Sequence, residues 1–178
     1  VTIQEEIDAA VETITQAGRG LYGLVNNAGV AIVGPLIEVE EDDLHFQMNV
    51  NVYGPYRITK AFSPLIIEAK GRINTIGSIS GILSGRFLGA YSMSKHAVEA
   101  YTDALAAEMA SFDVHVSVVE PGNYQSQMGA NVLRRMKENN QTFAGSRFEE
   151  QLQRMLSRAT DQSNEKEPDE VAEAVMHA

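Results

Sequence analysis

Ile73-Asn74-Thr75-Ile76, then Gly77-Ser78-Ile79-Ser80-Gly81, then Tyr91-Ser92-Met93-Ser94-Lys95 and at last Val114-His115-Val116-Ser117-Val118-Val119 form the stretch that decides the fold. The apolar, β-branched segments at its two ends have the length and composition of strands. A loop rich in glycine and serine runs between them from Gly77 to Gly89. A helical stretch follows over about 90–111, with Ala97, Val98, Tyr101, Leu105 and Met109 at inward spacing. Strand, helix and strand in this order form a unit whose strands run parallel through a right-handed crossover.

The pattern repeats upstream. Leu21 to Val25 make a short strand that ends in Asn26-Asn27-Ala28-Gly29. A long helical stretch from about Glu40 to Glu68 follows, with Leu44, Met48, Val52, Ile58, Phe62 and Leu65 as core candidates. The acidic cluster Glu38 to Asp43 suits a helix N-terminus favoured by the macrodipole. Another helix is predicted at the start, where Thr2 and Glu5 have capping-box spacing and Ile3, Ile7, Val11 and Ile14 share a face. Gly18-Arg19-Gly20-Leu21-Tyr22-Gly23 matches the G-x-G-x-x-G phosphate loop letter for letter. That loop needs a strand before it and a helix after it; here the order is reversed, so these glycines read as a helix stop and a turn. Downstream, Pro121-Gly122 closes the third strand, and about Tyr124 to Asn164 reads as helical, polar and methionine-bearing, with no strand. Pro168-Asp169-Glu170 starts a last helix carrying Val171, Ala174 and Val175. Three parallel strands are few for a doubly wound sheet and leave edges that such sheets normally cover.

Composition narrows the function classes. The 178 residues are 44% apolar and 21% charged, the profile of one soluble globular domain. No apolar run reaches the roughly 18 residues of a membrane span, so none is expected. A net charge of −10 argues against nucleic acid as a partner, and Arg134, Arg135 and Lys137 read as a solvated helix face. There is no cysteine, which excludes disulfides, thiol catalysis and thiolate metal sites; no metal site is expected. A reducing, cytoplasmic setting fits. The first residues hold no charged n-region or apolar h-region, so no signal peptide is expected in them.

Candidate chemistry gathers around Tyr91. With Lys95 four residues on, a phenol and an ammonium share one helix face. A tyrosine free in water titrates near pH 10, too high for proton cycling near neutrality; a nearby Lys⁺ favours the phenolate and lowers that value. Ser78 lies after the second strand, at the carboxyl end of a parallel sheet, where such folds place ligands. Its hydroxyl could donate to the carbonyl oxygen that Tyr91 protonates. Asn51 adds a third element. Pro55, four residues later, has no N–H, so the Asn51 carbonyl is spared its intrahelical bond and could hold a relay water. The alternative is two helices meeting at Gly54-Pro55.

In this order and spacing the motifs resemble those of the classical short-chain dehydrogenase/reductase family: Asn26-Asn27-Ala28-Gly29 after a strand, Asn51-Val52-Tyr53-Gly54, Ser78 thirteen residues before Tyr91, Tyr91-x-x-x-Lys95, then Pro121-Gly122. The resemblance covers nearly the whole chain. It implies a Rossmann-type α/β fold with a doubly wound parallel sheet, and an oxidoreductase that uses NAD or NADP on an alcohol or ketone. It implies Tyr91 as the acid/base and a cofactor contact, Ser78 orienting the carbonyl, and Lys95 lowering the tyrosine pKa and binding the nicotinamide ribose. Asn51 would hold the relay water. Asn27, Ala28 and Gly29 would pass close to the cofactor, with Asn26 and Asn27 steadying the central strand, and Pro121, Gly122 and the backbone near Tyr124 would lie against the nicotinamide.

The departures carry expectations too. The family's glycine-rich cofactor loop would lie upstream of Val1 and its last strand past Ala178. Residues 1–178 are therefore expected to be a single partial domain with a sheet incomplete at both ends, poorly stable alone. Within it, 1–123 would be the catalytic part of the core, 124–165 a substrate lid and 166–178 the start of a C-terminal helix. Ser126 stands where the family often has threonine. In the lid, Met128, Leu133, Met136, Phe143, Phe148 and Met155 suit an apolar small-molecule substrate, or they only pack the lid onto the body. The family pairs through its two long helices, which implies a homodimer or homotetramer with Ala100, Ala104, Ala107 and Glu108 on that face. A dinucleotide-binding sensor or scaffold without turnover is the alternative function; retention of both Tyr91 and Lys95 speaks against it.

Overall fold

The computed structural model describes residues 1–161, 163 and 165–178. Its elements run α1 (Gln4–Ala17), β1 (Gly23–Asn26), α2 (Glu41–Asn51), α3 (Tyr53–Glu68), β2 (Arg72–Ile76), α4 (Gly89–Met109), β3 (His115–Val119), α5 (Met128–Glu138), α6 (Glu149–Leu156) and α7 (Asp169–His177). The three strands form one parallel sheet in the order β1-β2-β3, with Leu24 beside Ile73 and Ile73 beside Val116. Both crossovers are helical, as the alternation predicts. α3 packs on β1 and β2, α4 packs on β3, and α2 touches both helices.

Apolar and polar halves divide the layer between sheet and helices. Ile66, Ile73, Met109 and Val114 form a buried cluster, flanked by Leu21, Leu24, Ile67, Leu105 and Val116. Those residues come from the beginnings of the strands and the ends of α3 and α4. Burying each large side chain contributes about 1.5–3 kcal/mol. Toward the strands' carboxyl ends the filling turns polar: Asn26 Nδ2 donates to Thr59 Oγ1 (3.1 Å) and to Thr75 Oγ1 (3.4 Å). β1 alternates in the opposite sense on its far face, where Val25 is 48% exposed.

Four expectations need correction. The capping box at Thr2 and Glu5 does not form: the N-cap is Ile3, one residue later, with no side-chain cap bond. Glu5 and Glu6 complement the helix dipole in its place. The helix expected over 40–68 is two helices that part at Val52 (φ −113°, ψ −59°), and not at Gly54-Pro55. Pro55 sits in the first turn of α3, where a missing N–H costs nothing. Of the core candidates in these helices only Phe62 is buried; the buried face of α2 lies one residue back, at Asp43, Gln47, Val50 and Asn51. That stripe is mostly polar: Gln47 and Asn51 face irregular backbone whose N–H and C=O groups need partners, and Asp43 faces the side chains of Arg135 and Gln141. Finally, the stretch after Tyr124 is not wholly helical: α5 and α6 are separated by turns, and Tyr124 makes a one-residue parallel bridge with Lys166. Gln162 and Asn164, within that stretch, lie outside the described residues.

The Gly18–Gly20 reading agrees with the structure. Gly18 ends α1 in the left-handed region (φ 66°) and Gly20 follows at φ 68°, with β1 coming next. Pro168 precedes α7 as its N-cap.

Candidate active site

The candidate residues come from the loops after β1, β2 and β3, the end of α2 and the start of α4. Ser78 follows β2 and caps the short 3₁₀ turn Ile79–Gly81, its Oγ accepting from Ser80 N at 3.1 Å. That bond fills an acceptor site and leaves the hydroxyl proton to donate elsewhere. Two cross-ties fasten this loop to the end of β3, Gly77 N to Val119 O (2.8 Å) and Ile79 N to Pro121 O (3.0 Å), which brings Pro121-Gly122 beside it. The loop lies close on Glu99 of α4. A Cβ on Gly77 would fall 2.7 Å from Glu99 Oε1 and from Val118 Cγ2, and one on Gly81 would meet the same carboxyl oxygen at 2.7 Å. A larger residue at either place would have to displace the Glu99 side chain.

Tyr91, Ser94 and Lys95 come from the first two turns of α4, and all three are buried. Lys95 Nζ donates to Ile76 O at 2.7 Å and lies 5.7 Å from the Tyr91 ring centre. Burial pushes the lysine down to about 8, against the pull of the Glu99 carboxylate, which raises it. Burial also raises the Tyr91 phenol above the ordinary tyrosine value, and a hydrogen bond with Ser78 works in the opposite direction. The downward shift expected from Lys95 is thus reversed in sign: removing the phenolate from water outweighs any attraction to an ammonium that is itself partly desolvated.

Asn51 is almost fully enclosed, 1% exposed. Its carbonyl has no donor at Pro55, and the next N–H, that of Tyr56, goes to Val52 O at 3.2 Å. Its side chain does more than the sequence reading foresaw. Oδ1 accepts from Val30 N (2.9 Å) while Nδ2 donates to Val30 O (2.9 Å) and to Ser94 Oγ (3.1 Å). Ser94 in turn donates to Tyr91 O at 2.7 Å. Ser94 and Gln47 were not singled out in the sequence. The available signals were a serine directly before Lys95 and an amide one helical turn before Asn51.

Ser78, Tyr91 and Gly122 line one cleft of about 590 Å³, together with Ala31, Leu83, Leu88, Met128 and Met155. Lys95 lies behind Tyr91 and is not among the lining residues. Asn27 and Ala28, both exposed, edge a separate small hollow against Pro55, and Gly29 borders a third beneath α5. The apolar residues of the segment 124–165 divide between cleft and body. Met128 and Met155 face the cleft, whereas Met136 and Phe143 line a separate hollow with Ile32 and Gly34, and Phe148 meets Phe87 edge-on at 5.6 Å.

A polar latch holds α5 and the turn after it to α2. Arg135 of α5 pairs with the buried Asp43 of α2 at 2.8 Å and lies 3.9 Å over the Phe46 ring, and Gln141 donates to the other Asp43 oxygen. Removing one partner of a buried pair costs about 3–5 kcal/mol. Asp43→Ala should therefore release α5 and the turns after it, making residues 139–147 the first site of limited proteolysis while the sheet stays intact. Unchanged cleavage kinetics would contradict the latch.

A parallel α/β sheet with serine, tyrosine and lysine assembled at its carboxyl edge defines a recognisable class of fold and site. The chain belongs to the short chain dehydrogenase family, whose model matches residues 1–166. It is 37% identical to the mitochondrial D-beta-hydroxybutyrate dehydrogenase of Bos taurus, across 98% of this chain and 55% of that one. It is 38% identical to 17-beta-hydroxysteroid dehydrogenase type 6 of Homo sapiens, across 78% of this chain and 45% of the relative. Among solved structures, a short chain dehydrogenase/reductase from Burkholderia phymatum in complex with NAD superposes with TM-score 0.76 at 26% identity, covering 89% of this chain and 58% of that one. The chain spans about half the length of the curated relatives it matches.

Proposed function

We propose that these residues are the catalytic part of an NAD(P)-dependent oxidoreductase that interconverts a secondary alcohol and a ketone. The observation that carries the reading is the convergence of Ser78 and Tyr91 on one cleft with Lys95 directly behind the phenol. The residues suit a dinucleotide. The Lys95 bond to Ile76 O uses one of three ammonium donors and leaves two for ribose hydroxyls. Asn27, Ala28 and Gly29 are exposed at the carboxyl end of β1, and a Cβ on Gly122 would meet nothing nearer than Ile79 Cγ2 at 4.0 Å. When bound, the nicotinamide would supply the acceptor or donor of hydride.

The protein's own part is proton handling and orientation. Ser78, one of its two lone pairs taken by Ser80 N–H, keeps its proton for the substrate oxygen. Tyr91, held protonated near neutrality by burial, gives its proton to that oxygen in ketone reduction and must lose it first for alcohol oxidation. The Asn51 carbonyl is the place for a relay water between this site and solvent. Leu83, Leu88, Met128 and Met155 favour an apolar substrate, and residues 124–165 serve as the lid. The proposal extends to a cytoplasmic homodimer or homotetramer, supported by the lack of cysteine and by the exposed Ala100, Ala104 and Ala107 on α4; the bovine relative is named as mitochondrial. Among the described residues no helix is long and apolar enough to cross a membrane.

The test is turnover by the full natural chain with NAD or NADP, on 3-hydroxybutyrate, cyclohexanol, 2-decanol, a 3-hydroxysteroid and the matching ketones. Dinucleotide-dependent turnover favouring the apolar members is expected. Binding of either dinucleotide with no turnover of any of them would put a sensor in place of the enzyme.

A further inference from the structure

Gln47 is fully enclosed, 0% exposed, and the chemistry above makes no use of it. It stands one turn before Asn51 on α2. Its Oε1 accepts from Ile32 N at 2.6 Å, and its Nε2 donates to Val30 O at 2.7 Å and to Ser94 Oγ at 3.4 Å. Asn51 takes the N–H and C=O of Val30 in the same fashion. The two amides thus offer residues 30–32 the alternating donors and acceptors that a neighbouring strand would offer. Among the described residues no strand pairs with this segment, so its backbone depends on side chains for its ladder. Ala31 and Val33, which flank the clipped Ile32, line the cleft that Ser78 and Tyr91 line.

We propose that Gln47 is a positioning residue for substrate: it fixes the Ala31–Val33 wall of the cleft and, through Ser94, ties that wall to the turn of α4 that carries Tyr91. The proposal rests on the reading of this cleft as the substrate site. Asn51 alone secures Val30 and leaves Ile32 N–H without a partner. A wall free to shift by a fraction of an ångström presents an apolar substrate to Ser78 and Tyr91 in many poses, which weakens binding before it touches the proton chemistry. Ser94 makes the link physical, since it receives from both amides and donates to Tyr91 O.

Two variants of the full natural chain separate this role from general stability. Gln47→Met keeps length and removes every hydrogen bond; Gln47→Glu keeps the acceptor for Ile32 N–H and loses both donors. Amide hydrogen exchange in Gln47→Met should quicken about tenfold at Ile32 while residues 72–76 of β2 keep their rates. Gln47→Glu should restore protection at Ile32. With whichever panel alcohol is turned over, Gln47→Met should raise KM about tenfold, leaving kcat within threefold and the dinucleotide Kd within twofold. Unchanged exchange at Ile32 overturns the proposal, and so does faster exchange with an unmoved KM or an equal quickening across β2. Absence of turnover in the wild-type chain would overturn the oxidoreductase reading, while the exchange at Ile32 still decides whether Gln47 holds the wall.

Discussion

Tyr91→Phe should cut turnover by about 10²–10⁴-fold, the usual worth of a positioned proton donor or acceptor. The substitution is clean in physical terms. The ring and its packing stay, and the lost hydroxyl had Ser78 as its hydrogen-bond partner, a serine still engaged by Ser80 N. Stability should move by no more than about 1 kcal/mol, the net value of one hydrogen bond. Dinucleotide affinity should hold, because, of the residues proposed to contact the cofactor, Lys95, Asn27, Ala28, Gly29, Pro121 and Gly122 are all kept and Tyr91 loses only its hydroxyl. The wild-type pH dependence adds a second check. Burial holds the phenol above its ordinary value, so alcohol oxidation should climb with pH into the alkaline range and ketone reduction should fall there. Both limbs should vanish with the hydroxyl. Turnover in the variant within tenfold of wild type would remove Tyr91 from the chemistry.

Lys95→Met should lose turnover by at least about 10²-fold and yet make the protein more stable at neutral pH. The ammonium is buried at a cost: its pKa falls from the 10.5 of a lysine in water to about 8. A shift of that size corresponds to about 3 kcal/mol. Methionine fills a similar volume without the desolvation, but it leaves Ile76 O without its donor, which takes back about 1 kcal/mol. A net gain of about 2 kcal/mol is expected at pH 7. The sign follows from proton counting. Below pH 8 both folded and unfolded chains carry the proton, and the folded state bears the whole penalty. Between 8 and 10.5 the folded state has released it while the unfolded state holds it, so wild-type stability rises with pH. The advantage of Lys95→Met should therefore shrink toward pH 10. Urea unfolding at pH 7 and pH 10 measures it, and a variant less stable than wild type at pH 7 would contradict the account.

The order of strands and helices was legible because β2, α4 and β3 each carry an unambiguous apolar pattern bounded by glycine or proline. The convergence of Ser78, Tyr91 and Lys95 was legible for a related reason, since a parallel sheet sends the ends of its strands to one edge. The buried face of α2 was not. Periodicity selects apolar residues, and α2 buries Gln47 and Asn51 against the bare backbone of Val30 and Ile32, and Asp43 against the side chains of Arg135 and Gln141. The sign of the Tyr91 shift was missed on different grounds. Residue spacing shows which charges are close, but the depth of burial that outweighs them belongs to the assembled core. The parting of α2 from α3 at Val52 lies between: Gly54 and Pro55 announced a break, and the backbone took it two residues earlier, which lets Pro55 occupy a first turn.

Tyr124 and Lys166 touch through a bridge, and their neighbours reinforce it: Gln125 N meets Lys166 O at 2.9 Å, Lys166 N meets Asn123 O at 3.1 Å, and Tyr124 OH meets Glu170 at 2.8 Å. The excursion between them leaves and rejoins the body at a single clasp. Loop-closure entropy grows only slowly with length, so lengthening or shortening such an excursion costs little once its ends are joined. As the proposed lid, this segment is a cartridge. Evolution or an engineer could exchange the segment inside the clasp to admit a different molecule while Ser78, Tyr91 and Lys95 stay undisturbed on the sheet beneath.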